Sequence, residues 1–121
     1  MPDLATLPVV LAAITQPVFD VEALLRFLDR ASRHPRTIPV LAGIFPLLSL
    51  RNAEFMNNHV PGVVVPPAIL ERMARCKTKE DGLQTGIAIA RETRDRLAGA
   101  VAGFQVSAPL GKTEIALAVL A

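Results

Sequence analysis

Three apolar runs, each cut off by proline or a polar stretch and separated by segments of helical spacing, constrain this chain more than any other feature. They are Pro8 to Thr15, Ile38 to Ile44 and Val101 to Val106. The first, apolar at every position until it meets Thr15, predicts a strand buried on both faces of a parallel sheet, because an antiparallel strand with one wet face would alternate. The first run ends in the polar loop Thr15-Gln16-Pro17. Asp20 is then a good N-cap for a helix in which Val21, Leu24, Leu25, Leu28 and Ala31 recur at helical spacing, until His34-Pro35 stops it. The second run tolerates Pro39 at its start, where a strand residue is not yet paired, and Pro46 closes it.

Ser49 is placed to cap a helix through Asn58 with Leu50, Ala53 and Met56 or Asn57 along its inner side, and Pro61-Gly62 turns the chain again. Pro66-Pro67 opens an extra short helix carrying Ile69, Leu70 and Met73, with Arg72 and Arg75 directed elsewhere. Thr78-Lys79-Glu80-Asp81 has the form of a capping box. It predicts a long amphipathic helix with Leu83, Ile87, Ala90 and Leu97 inward, ended by Gly99. After the third strand, Pro109 and Gly111 make a loop, and Ile115, Ala116, Val119 and Leu120 belong to a last helix.

Composition removes several classes of function. With 51% apolar and 20% charged residues in 121, the chain is expected to be one ordered segment, residues 1 to 121. A net charge of +2 without clustered cations, and no Trp or Tyr, gives no footing for nucleic acid. The run Val9 to Ile14 is too short for a membrane span, and no basic residue precedes it as an export signal requires. Cys76 is the only cysteine, so no internal disulfide is possible and the reducing cytoplasm is the expected compartment. Cys76 reads as a helix-end residue. His34 and His59 are isolated from other ligand types, so no metal site is expected.

Strands alternating with helices predict a parallel α/β architecture, whose functional residues sit in the loops after the carboxyl ends of the strands. Those loops are residues 15–20, 45–49 and 107–112. Three strands do not close a barrel, since the complete (β/α)₈ fold takes roughly 250 residues. Two sheet edges are left unpaired, which predicts either a larger structure or self-association.

Three segments carry a family resemblance: Ile14-Thr15-Gln16-Pro17-Val18-Phe19-Asp20, the stretch from Gly43-Ile44-Phe45-Pro46 to Glu54-Phe55, and Gly103-Phe104-Gln105-Val106-Ser107-Ala108-Pro109. In that order they resemble the methylenetetrahydrofolate reductases. The likeness runs from about Ile14 to the end and is nearest to the bacterial branch in which the reductase follows a homocysteine methyltransferase module. There the stretch Asn57-Asn58 through Val60-Pro61-Gly62-Val63 also looks much the same.

The resemblance implies a partial TIM (β/α)₈ barrel of about three parallel βα units with extra helices. It implies a complete enzyme that uses FAD and NAD(P)H to reduce methylenetetrahydrofolate to methyltetrahydrofolate. Gln16 occupies the place of a glutamine that binds the folate ring, a task suited to an amide that both donates and accepts; a loop-capping amide is the alternative. Ile14 and Thr15 match positions that approach the flavin, although Ile14 suits a core strand equally. Asn52 and Met56 stand where relatives carry a second glutamine and a phenylalanine against substrate, and a plain helix-face role competes for both. Lys112 aligns with an arginine that meets the anionic folate tail, and lysine keeps the charge without the bidentate fork; a solvated lysine at a helix start is its alternative. Arg26 and Arg51 read as surface residues.

The family's flavin-phosphate contacts and its acidic groups come from strands before Ile14, and no counterpart is found in the first thirteen residues. No residue is therefore assigned as catalytic, and the chain is expected to be inactive alone. Its expected partners are folate and either a complementary amino-terminal barrel segment or further copies of itself. A non-catalytic interaction module held together by self-association is the alternative function.

Overall fold

The computed structural model describes residues 13–35 and 38–121. The amino-terminal part of the first expected strand, residues 8–12, lies outside them. Three strands, β1 (Ala13–Pro17), β2 (Val40–Ile44) and β3 (Gly103–Val106), form one sheet in the order β1-β2-β3. Both pairings are parallel, with Ile14 opposite Leu41, Leu41 opposite Gly103 and Ile44 opposite Val106. Among the described residues five helices connect or follow them: α1 (Val21–Ser32), α2 (Leu50–His59), α3 (Pro67–Ala74), α4 (Lys79–Leu97) and α5 (Thr113–Leu120).

The helix starts fall where the capping residues place them. Asp20 accepts a hydrogen bond from the Ala23 N–H, Ser49 from the Asn52 N–H, and Thr78 from the Asp81 N–H, each satisfying a first-turn donor. The expected capping box differs in one detail: the Asp81 carboxylate reaches back to the Lys77 N–H at 3.3 Å, one residue before Thr78. Asp81 is one methylene shorter than the Glu of the usual box. Cys76 follows α3, half-buried, with its thiol 3.6 Å from the Arg72 and Asp81 carbonyls.

Ala42 and Ile44 of β2 face the helices, where Val21, Leu97, Ala90 and Val119 bury them together with Phe104 and Val106. A second apolar cluster holds α2, α3 and α4 together through Phe19, Leu47, Ala53, Met56, Val63, Val65, Met73 and Ile89. Among the described residues no helix covers the opposite side of the sheet, and Ile14 is 61% exposed on it. This corrects the expectation of a first strand buried on both faces. Helices cover one side of a three-stranded sheet, and the other needs a further layer or barrel closure.

The buried stripe of α4 also differs from the expected one: Gly82, Gly86, Ile89, Ala90, Thr93 and Leu97 point inward, while Leu83 and Ile87 are half-buried. The reason is close packing. A Cβ on Gly82 or Gly86 would overlap the carbonyl oxygens of Leu48 and Leu47, so the helix lies directly on the loop after β2. At the far end of the stripe, Leu97 is followed by Ala98 as the cap, and Gly99 has φ +85°. Ile115, Ala116, Val119 and Leu120 all fall in α5 as expected, and of that helix Ile115 and Val119 are buried.

Arginines tie helices together, and Arg96 of α4 pairs with Glu22 of α1 in this way. Arg72 of α3 makes two parallel hydrogen bonds of 2.9 Å to Glu92 of α4, and this contact raises its guanidinium above the ordinary arginine range. Arg94 donates to the carbonyls of Val119 and Ala121 at 2.5 and 2.9 Å, satisfying acceptors at the end of α5 that the helix itself leaves open.

Candidate functional site at the carboxyl ends of the strands

Strand β1 ends in an irregularity that shapes the site. Between Ile14 and Pro17 the register slips by one residue relative to β2, and the Thr15–Gln16 peptide leans over Gly43. A Cβ on Gly43 would stand 2.7 Å from the Thr15 carbonyl oxygen, so any side chain there would push the bulge away. The Thr15 hydroxyl closes the gap in the ladder: it accepts from the Gly43 N–H at 2.9 Å and donates to the Gln16 carbonyl at 2.8 Å. The chain rejoins the ladder at Val18, whose N–H donates to the Gly43 carbonyl.

Gln16 projects from this bulge, exposed. Its carboxamide has no hydrogen-bond partner among the described residues, so two donors and an acceptor are open to a ligand. It lines a cleft of about 290 Å³ together with Thr15, Asp20, Leu24, Gly62 and Val64.

The other residues singled out from sequence take different positions. Asn52 sits in the first turn of α2, half-buried, where its Oδ1 accepts from the Leu48 N–H at 3.1 Å and latches the loop after β2. Its Nδ2 has no partner among the described residues. Met56 is 7% exposed and packs in the apolar cluster beneath that loop. Lys112 is exposed between the 3₁₀ turn Pro109–Gly111 and α5, at the N-cap position of the helix, and is without an ion-pair partner among the described residues. Ile14 lies on the open face of the sheet. Gln16, the Asn52 loop and the Lys112 loop thus stand at the same end of a parallel sheet, but only Thr15 and Gln16 of the set line the cleft.

Sequence reasoning passed over three features of this end. Gly62 and Val64 form the far wall of the cleft. Gln105, paired in register with Gly43, is exposed on β3. Leu110, in the loop before Lys112, is 79% exposed at φ +59°, a left-handed conformation that a leucine adopts at some cost. Leu110 follows Pro109 in the loop after β3, and Gly62 and Val64 follow Pro61 in the connection between α2 and α3; those prolines were the available signal.

A larger cavity of about 850 Å³ opens at the amino ends of the strands, with Phe27, Leu28, Ile38 and Val101 among its walls. Parallel α/β folds bind ligands at the carboxyl ends, so size does not make it the candidate site. Among the described residues no group of three His, Cys, Asp or Glu side chains is gathered as a metal would need, and no helix is long and apolar enough to cross a membrane.

The sequence profile of the methylenetetrahydrofolate reductases matches residues 12–109, all three strands and the loops that carry Gln16 and Asn52. The chain belongs to the methylenetetrahydrofolate reductase family. A solved structure from Clostridium thermocellum is similar to it in fold, with a TM-score of 0.52 at 19% identity over 89% of this chain and 41% of that one. That structure is described as an uncharacterized protein that binds two copies of 5-methyl-5,6,7,8-tetrahydrofolic acid. This chain spans less than half of its length. No curated protein matches the chain. The parallel βα units described above are therefore part of a TIM-barrel-like α/β fold of the reductase family, with extra helices α3 and α4 between β2 and β3.

Proposed function

We propose that this chain is the folate-binding side of a flavin-dependent reductase that converts methylenetetrahydrofolate to methyltetrahydrofolate, and that it is inactive until a complementary segment completes the barrel. The observation that carries the reading is the Gln16 carboxamide: exposed, unengaged and held at the carboxyl end of β1 in a chain of this family. Gln16 pairs with the edge of the folate ring, and the free Nδ2 of Asn52 offers a further donor. Lys112 attracts the anionic tail. Met56 serves from behind, as apolar packing under the helix that carries Asn52.

Flavin fits the residues present less well. Ile14 offers exposed apolar surface, but the Thr15 hydroxyl is already engaged in the ladder, and no glycine-rich loop leads from a strand into a helix to hold phosphates. FAD, NAD(P)H and the acid that protonates substrate are accordingly assigned to the complementary segment. This chain's own part is to bind and orient folate, in the cytoplasm.

Calorimetric titration of the full chain with 5-methyltetrahydrofolate tests the reading. Saturable binding is expected, weakened about tenfold or more by Gln16→Ala, which removes a donor and an acceptor each contributing roughly 1 kcal/mol. Undiminished binding by that variant, or no heat at any concentration, counts against it. A second reading, a non-catalytic module completed by self-association, is favoured by the open edges of β1 and β3 and the exposed face at Ile14.

A further inference from the structure

We infer that the turn at residues 61–64 is part of the ligand site and that Gly62 is the positioning residue for the Gln16 carboxamide, an inference that rests on reading Gln16 as the ligand-facing group. The turn is anchored on both sides of the cleft wall. Val63 and Val65 are 4% and 2% exposed in the core, and the Val65 N–H donates to Asn57 Oδ1 at 2.8 Å. Val64, between them, faces outward at 59% exposure and lines the same cleft as Gln16.

Gly62 meets the amide directly. A Cβ at position 62 would stand 2.5 Å from Gln16 Oε1 and 3.4 Å from its Cδ, closer to the oxygen than real Cβ atoms come. Its φ of +83° also lies in the left-handed region that suits glycine. The carboxamide has no hydrogen bond of its own among the described residues, so its orientation is set by the shape of this wall. A long side chain held by shape before the ligand arrives loses less freedom on binding than a free one. The atom that a Cβ would strike is the tip of a flexible side chain. A substitution at Gly62 should therefore displace the amide and leave the core in place.

Nuclear magnetic resonance of the full chain reads the contact without ligand. Cross-relaxation is expected between the Gln16 side-chain amide and both the Gly62 Hα and the Val64 methyls, and Gly62→Asn should shift the Gln16 amide signals. Asn tolerates positive φ, so this variant adds a Cβ with little backbone strain; Gly62→Ala adds the same atom with strain, and comparing the two separates a folding defect from displacement. Absent cross-relaxation in the unmodified chain overturns the inference.

A binding cycle with 5-methyltetrahydrofolate completes the test. Gly62→Asn should weaken binding about fivefold when Gln16 is present and less than about twofold in the Gln16→Ala background, the mark of two residues acting as one. Equal losses in both backgrounds overturn the positioning role. If Gln16→Ala leaves binding untouched, the folate reading of Gln16 fails instead, and the resonance contact alone decides whether Gly62 positions the amide.

Discussion

At Thr15 a single hydroxyl separates a structural account from a cofactor account. Its oxygen supplies the acceptor that the bulge withdraws from the buried Gly43 N–H, and losing it leaves that donor without a partner, at a cost of about 1–3 kcal/mol. Thr15→Val should lower the Tm of the ligand-free chain by several degrees, with Thr15→Ser restoring most of it, as followed by thermal unfolding. An unchanged Tm would mean that the hydroxyl is free to serve a ligand. Sequence placed Thr15 and Gln16 at a strand end but could not foresee the bulge, because the slip depends on Gly43 lying across from them, 28 positions away. Met56 shows the complementary case. Its apolar character was legible, and whether that surface meets ligand or core depended on how α2 rolls against α3 and α4. At 7% exposure it packs in the apolar cluster between these helices.

The elements were the most readable level, since α1, α2 and α4 each start at a side-chain cap and stop within three residues of a proline or glycine. Serine, threonine and aspartate caps act within three residues, so no tertiary information is needed to place them. The inward face of α4 was the exception. Periodicity selects large apolar residues, yet this helix presents Gly82 and Gly86 to the loop after β2, where backbone meets backbone. Alanine at position 86 gains about 1 kcal/mol of helix propensity over glycine. It also overlaps a carbonyl that the β2 strand end and the Asn52 latch hold in place, and overpacking of that kind costs typically 1–3 kcal/mol or more. Gly86→Ala should therefore be destabilising in net, with a Tm lower by about 5 °C, whereas an exposed glycine replaced by alanine in a helix would raise it. The Arg72–Glu92 contact contributes little beside this, because both side chains are partly exposed. Arginine's share of it is present wherever Arg72 is protonated and is lost only as pH rises through its raised pKa, so it gives no pH dependence in the neutral range.

At the scale of the molecule the sheet formed by the described residues has an edge at each side, β1 and β3, and one face without a helical layer. Unpaired edges with apolar neighbours such as Ile14, Phe27 and Ile38, each near half exposed or more, are sites for further chain to dock. Two outcomes follow from the two functional readings. Co-expression with the earlier βα units of a family reductase should yield a heteromer of defined mass carrying flavin absorbance and folate-linked turnover. The chain expressed by itself should form colourless oligomers by light scattering. A stable monomer that gains neither colour nor mass on co-expression would exclude both ways of covering the edges.

Sequence by itself determined the class of the fold, the order and ends of nearly every element, and the family, because these depend on local spacing, caps and motifs that travel with the chain. Tertiary structure decided where each candidate site residue lies. The slip of β1 over Gly43 exposes the Gln16 amide, and the rotation of α2 buries Met56. The anchored turn at Gly62 fixes where that amide can lie. Each of these depends on which backbone comes within van der Waals distance of which, and such contacts join residues too far apart in sequence for any local pattern to encode.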